Sequence, residues 1–114
     1  MDLQTREELD GKVIIIEVPE RLDLQISDDF RSMLNQLVEQ GRYQLVLDLR
    51  KTKYIDSSGL SALVSRIATA RSNQGDIRFA SPTEFVRELL RVTHIDRIIR
   101  CFEDVNSAVE SFRQ

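Results

Sequence analysis

Apolar residues along the chain fall into two kinds of run. Residues 12–18, KVIIIEV, and 43–49, YQLVLDL, are dense in aliphatic and β-branched side chains and too short for helices, so both predict strands buried on most of their surface. Residues 3–8 precede the first run across Asp10-Gly11, a dipeptide that favours hairpins, which predicts an antiparallel N-terminal strand. DIRFA at 76–80 and RIIRCF at 97–102 predict two further short strands. Between these runs the apolar spacing becomes helical. Leu24, Phe30, Leu34, Leu37 and Val38, with Met33 on the same side, predict a helix through residue 40, opened by Asp23 or Ser27 and closed by Gly41. Leu60, Leu63, Val64, Ile67 and Ala68 predict a second helix after Gly59, ending in SNQG at 72–75. Phe85, Val86, Leu89 and Leu90 form the apolar face of a third, opened by Ser81-Pro82 or by Thr83. Asp104 opens a fourth, containing Val105, Ala108, Val109 and Phe112.

The resulting order is β-β-α-β-α-β-α-β-α. Such alternation predicts an α/β fold: a mostly parallel sheet with an antiparallel N-terminal edge and four helices on its surfaces. Pro19 ends the first long strand because it has no N–H to donate. Asp48 alternates against Leu47 and Leu49, which predicts one less-buried position in the second long strand, and Ile55 returns to the core. A length of 114 residues predicts a single domain, 1–114, with one core. The chain shows neither an internal repeat nor a low-complexity stretch.

Charge narrows the function classes. The formal net charge is −3, and arginines occur singly among acids rather than in a basic block, which argues against nucleic-acid binding. Aromatic residues are only 6% of the chain, too few for a base-stacking sheet. No segment reaches the length of a membrane span, and the polar start MDLQTREELD has no apolar secretion segment, so no membrane contact and a cytoplasmic location are expected. Cys101 is the sole cysteine; with Ile98, Ile99 and Phe102 around it, a buried, unreactive thiol is expected.

Catalytic and cofactor chemistry finds little support. His94 is the only histidine and no second His or Cys stands at ligand spacing, which argues against zinc. Asp48 and Asp56 are the remaining pair for a magnesium site, although a surface or capping role explains each more simply. Gly11, Gly41, Gly59 and Gly75 all read as turn or boundary residues; none builds a phosphate loop or dinucleotide fingerprint. A serine hydrolase would need His94 beside Ser57 or Ser58, and the glycine-flanked nucleophile pattern is absent. No cofactor and no metal are expected.

YIDSSGLSAL at 54–63 remains, at a strand-to-helix junction. Asp56, Ser57 or Ser58 can each cap the helix, with Gly59 allowing a tight turn or a close approach. The same geometry suits a switch. A serine at a helix start is reachable by a kinase, phosphate adds about −1.5 to −2 charges, and the helix N-terminus tolerates that charge. A docked partner would meet bulk and like charge together.

This segment, with LVLDL before it, resembles the bacterial anti-sigma-factor antagonists of the STAS domain family, in which a strand ends in Asp-Ser-Ser/Thr-Gly-Leu. ERLD at 20–23 is similar to the family's early loop, and ASPTEFVRELLRVTHIDRII to its last third, so the resemblance covers nearly the whole chain. It implies a STAS-like fold, no catalysis by the chain itself, and partner switching: the unphosphorylated antagonist binds an anti-sigma factor that is also a serine kinase and frees a sigma factor; phosphorylation releases it; a PP2C-type phosphatase resets it. Carried over by position, the resemblance makes Ser57 the phosphoacceptor, with Asp23, Asp56, Ser58, Gly59 and Ser61 on the partner-binding face. Pro19, Glu20, Arg21, Ser61 and His94 depart from the usual family residues and bear on which kinase binds. The other reading implied is a non-switching STAS scaffold or regulatory domain. Exposed sheet edges can also pair, which leaves a weak homo-oligomer open.

Overall fold

The structure, a computed structural model, describes residues 3–113. The chain opens with a hairpin. Strands β1 (Thr5–Glu8) and β2 (Val13–Glu17) pair antiparallel, and the turn between them passes through positive φ at Leu9, Asp10 and Gly11. The three strands that follow in this sheet, β4 (Gln44–Asp48), β6 (Asp76–Ala80) and β7 (Cys101–Phe102), are all parallel to β2. The spatial order is β1-β2-β4-β6-β7. The mostly parallel sheet with its antiparallel N-terminal edge is therefore as expected. β1 is exposed along its length and carries Arg6, Glu7 and Glu8, a charged edge of the kind that discourages strand pairing.

Both faces of the sheet are covered, which explains why β2 and β4 read as nearly unbroken apolar runs. Ile14 and Ile16 of β2, Leu45 and Leu47 of β4, and Ile77 and Phe79 of β6 share one buried cluster with the helices α1 (Leu24–Glu39), α2 (Ser57–Val64), α3 (Ile67–Ser72) and α4 (Glu84–Val92). Those helices contribute Phe30 and Leu34, Ala62 and Leu63, Ile67 and Ala70, and Val86 and Leu90. Val13, Ile15 and Val46 point the other way, onto Ala108, Val109 and Phe112 in and after α5 (Val105–Glu110). The alternation along a strand thus sends neighbouring residues into different clusters.

Several local expectations change. The helix after Gly59 is broken at Ser65–Arg66 into α2 and α3; the Ser65 hydroxyl donates to the Ala62 carbonyl (2.8 Å), an acceptor that would otherwise serve the next turn. Ser27 lies buried inside α1, and Asp23 is the residue that caps it. Thr83, not Ser81, caps α4. The strand expected over 97–102 is reduced to Cys101–Phe102, because a 3-10 turn occupies Ile95–Arg97. This leaves Ile98 exposed, and Phe85, placed on the apolar face of α4 by its spacing, is exposed too.

Two burial expectations are reversed. Asp48 is buried, its carboxylate accepting the Arg50 N–H at 3.0 Å, so a hydrogen bond to the following loop replaces the contact with water. Cys101 is exposed, because β7 is the sheet edge and no further strand covers it. Its sulfur still lies against enough of the chain for burial to push the thiol pKa upward.

Candidate functional site

Two segments that follow adjacent parallel strands meet at one end of the sheet. After β2 the chain forms β3 (Arg21–Leu22) and after β4 it forms β5 (Tyr54–Ile55); these two-residue strands pair parallel in a small separate sheet, Arg21 opposite Tyr54 and Leu22 opposite Ile55. Each is followed by an aspartate and then a helix. Asp23 caps α1 by accepting the Gln25 N–H (3.2 Å), and Asp56 caps α2 by accepting the Gly59 N–H through Oδ1 (2.9 Å). The same strand–Asp–helix unit thus occurs twice, side by side.

Asp56 does more than cap its own helix. Its Oδ2 accepts the Leu24 N–H of α1 at 3.0 Å, so one carboxylate satisfies an unpaired donor at each of two helix starts. Gly59 closes the junction from the other side. It is buried against Leu22, and a Cβ there would lie 2.1 Å from the Leu22 carbonyl oxygen. The glycine is needed for this close approach of α2 to β3, not for an unusual φ.

With the carboxylate and the glycine engaged in the junction, the surface is left to other residues. Ser57 is the first residue of α2 and is exposed; Ser58 is half-buried; Ser61, one turn on, is exposed and its hydroxyl accepts from Arg31 Nη2 at 2.7 Å. The six sequence-selected residues, Asp23, Asp56, Ser57, Ser58, Gly59 and Ser61, therefore gather at the starts of α1 and α2. The choice of cap among Asp56, Ser57 and Ser58 resolves to Asp56.

Four neighbours carried no comparable signal. Leu24 is 68% exposed although its spacing assigned it to the apolar side of α1, and Tyr54, the first residue of β5, is exposed too. The Arg21 guanidinium lies over the Tyr54 ring, 4.4 Å from its centre, and approaches Asp23 Oδ2 at 3.6 Å. Arg31 reaches α2 from α1. Only the pairing of β3 with β5 and of α1 with α2 brings these residues together, and no local pattern announces it.

His94 is not part of the junction. Thr83, at the start of α4, donates its hydroxyl to the Thr52 carbonyl in the loop before β5 (3.0 Å), so that end of α4 is near the site. His94 follows the other end of the helix, about 13 Å further along its axis. Among the described residues no hydrogen bond joins it to either serine, and no group of three or more His, Cys, Asp or Glu side chains is arranged to hold a metal ion. No described helix is long and apolar enough to cross a membrane.

The comparisons with known proteins agree with this architecture. The family model for the STAS domain matches residues 3–108. The chain belongs to the STAS domain family, the regulatory, non-catalytic family of the anti-sigma-factor antagonists. It is 25% identical to the anti-sigma F factor antagonist of Paenibacillus polymyxa over 112 residues, 96% of each chain. Its fold is similar to an anti-sigma-factor antagonist (STAS) domain protein from Planctomyces limnophilus, with a TM-score of 0.88, 21% identity and full coverage of both chains. SpoIIAA, a Bacillus cell fate determinant, is similar in both of its solved forms at 16% identity. The unphosphorylated form gives a TM-score of 0.83, covering 98% of this chain and 96% of that one. The phosphorylated form gives 0.75, covering 98% and 100%.

Proposed function

We propose that this chain is a phosphorylation-controlled anti-sigma-factor antagonist. In its unphosphorylated form it binds an anti-sigma factor that is also a serine kinase and thereby frees a sigma factor. Phosphorylation at Ser57 releases it, and a PP2C-type phosphatase returns it to the binding form.

The observation that carries this reading is the division of labour at the start of α2. Asp56 and Gly59 are engaged in holding the junction together, while Ser57 is exposed and makes no side-chain hydrogen bond among the described residues. A phosphate added there meets the free N–H groups of a helix start instead of displacing packed atoms. The fold therefore tolerates the modification, and the change falls on whatever docks over α1 and α2. The similarity to SpoIIAA, solved in phosphorylated and unphosphorylated forms, supports the idea that such a fold can accept the group.

The partner face comprises Ser57, Ser58 and Ser61 of α2 with Asp23 before α1. Asp56 and Gly59 act on it from below by holding the two helix starts together. The test is incubation with the partner kinase and ATP followed by site mapping. Label on Ser57 is expected. Label on another serine with none on Ser57 overturns the assignment, and partner affinity indifferent to a charge at Ser57 leaves a non-switching STAS module.

A further inference from the structure

Helices α1 and α2 start together and run in the same direction. Leu24 meets Asp56 at their starts, Arg31 meets Ser61 further along, and Asn35 meets Arg66 beyond that. Arg31 is half-buried between the helices, with Nη2 donating to the Ser61 hydroxyl at 2.7 Å. Among the described residues no carboxylate forms an ion pair with it, and it is the arginine that lies at α2 beside Ser61. A guanidinium offers five donors in a flat fork suited to phosphate. Here it is held by one neutral hydroxyl.

Ser61 lies four residues after Ser57 on α2, so the two side chains share a face with their Cβ atoms about 6 Å apart. A phosphate on Ser57 extends its oxygens a further few ångströms from the serine oxygen. A guanidinium already at the Ser61 hydroxyl has only a side-chain rotation to make to reach them. The exchange is favourable, because hydrogen bonds between two charged groups are roughly twice as strong as neutral ones. Of the acids nearby, Asp56 is turned to the Leu24 and Gly59 N–H groups and Asp23 to Arg21 and the Gln25 N–H, while Asp28, three residues before Arg31 and on the same side of α1, is a neighbouring charge the phosphate must outcompete for the guanidinium.

We propose that Arg31 is the phosphate-holding residue of the modified protein, leaving Ser61 to pair with the phosphoryl oxygens on Ser57. This rests on the reading of Ser57 as the acceptor. In the unmodified state Ser61 holds the guanidinium across the groove from α1 to α2. In the modified state Arg31 draws the phosphate over the groove between α1 and α2, so the added group lies across the docking face instead of swinging free in water.

The experiment installs phosphoserine at position 57 during translation, which makes it independent of any kinase. Phosphorus NMR then follows the second ionisation of the phosphate in the full chain. Arg31→Gln is expected to raise that midpoint by roughly half a unit relative to the parent, and Ser61→Ala to leave it unchanged or lower it. An Arg31→Gln midpoint equal to the parent's overturns the proposal, whether or not a kinase is later found to label Ser57. A second measurement covers a poorly folded Arg31 variant. The Arg31 guanidinium resonances of the unmodified chain are expected to respond to Ser61→Ala, and those of the phosphorylated chain to become insensitive to it. Equal sensitivity in both states also overturns it.

Discussion

The carboxylate of Asp56 accepts the backbone N–H of Leu24, 32 residues earlier in the chain, while its other oxygen accepts the N–H of Gly59 in its own helix. One side chain thus joins two helix starts and fixes the small sheet formed by β3 and β5 beneath them. A capping residue replaced by alanine costs about 1 kcal/mol, with somewhat more for a charged acceptor. Asp56→Ala should therefore lower stability by about 2–3 kcal/mol, since two donors lose their acceptor. Asp56→Asn, which keeps one good acceptor oxygen, should lose about half as much. Urea unfolding of both variants decides the matter. An Asp56→Ala midpoint equal to the parent's would show that the carboxylate serves only a partner.

Gly59→Ala isolates the other half of the junction. In an ordinary helix interior this substitution stabilises by about 1 kcal/mol. Here the new methyl would sit 2.1 Å from the Leu22 carbonyl oxygen, which belongs to backbone and cannot rotate aside. A net loss of ~2 kcal/mol or more is expected, with β3 and β5 forced apart. The amide of Asp56, which donates to the Leu22 carbonyl at 3.3 Å, should then exchange with solvent faster. A neutral or stabilising alanine would mean that α2 does not rest on β3.

Ser57 should behave in the opposite way. It is exposed and is the first residue of its helix, where an acidic group is favoured by the helix dipole. Ser57→Asp and Ser57→Ala are both expected to unfold within about 0.5 kcal/mol of the parent. Their effects on the partner should separate: Ser57→Ala binds as the parent does, and Ser57→Asp binds tenfold or more weakly, a difference of ~1.4 kcal/mol. Calorimetry on the three chains with the anti-sigma factor measures both. A collapse in the melting temperature of Ser57→Asp would turn the surface switch into a folding switch.

How much of this was legible in the chain depends on segment length. β2 and β4 are long enough to stand out as unbroken apolar runs and α1 long enough to display its helical period, and the alternation of strands with helices follows from them. β3 and β5 have two residues each, too few to show any period, and exist because they pair with one another across the fold. The break between α2 and α3 escaped notice because Ser65 fits a helix surface until its hydroxyl takes the Ala62 carbonyl. At the site, DSSG marks a strand-to-helix turn without saying which side chain caps it, since Asp and Ser are both good caps. The position of the Leu24 N–H decides it, and Leu24 belongs to a different segment. Arg31 and Tyr54 gain their places in the site only from that same meeting of segments.

Acid stability rests on a different cluster, at the far end of β6. Asp76 is buried, with Arg71 Nε at 2.8 Å and Arg78 Nε at 3.0 Å from its two oxygens. Burial alone would raise its pKa; the two guanidiniums and the Ile77 N–H outweigh burial and hold it below the ordinary 3.8. A carboxylate whose folded pKa is depressed stabilises fully above its unfolded pKa and loses that contribution as pH falls through the folded value. The loss therefore falls below about pH 4. Asp76→Asn should be less stable than the parent by about 2–3 kcal/mol at pH 7, because Arg78 is left buried against Phe112 without its partner. The two chains should converge on acidification below about pH 4. Melting temperatures from pH 7 to pH 2 check this; a gap that stays constant throughout would mean that the ion pairs add nothing.

The exposed apolar side chains Leu24, Tyr54 and Val92 lie at two separate places, and that separation tests where the partner sits. Leu24 and Tyr54 border the junction that presents Ser57, whereas Val92, exposed at 54%, lies at the end of α4 remote from the Thr83–Thr52 contact. A large side chain left in water at a helix start contributes little to folding and a good deal to an interface that covers it. Leu24→Ala and Tyr54→Ala are expected to weaken binding of the anti-sigma factor by about 1–3 kcal/mol each while leaving the melting temperature within a few degrees. Tyr54→Ala also removes the ring beneath the Arg21 guanidinium, so Arg21 becomes freer to pair with Asp23, and its effect should exceed that of Tyr54→Phe, which keeps the ring. Val92→Ala should leave affinity unchanged. Were Val92→Ala to weaken binding and Leu24→Ala not, the partner would dock over the far end of α4, and a charge on Ser57 could not reach it.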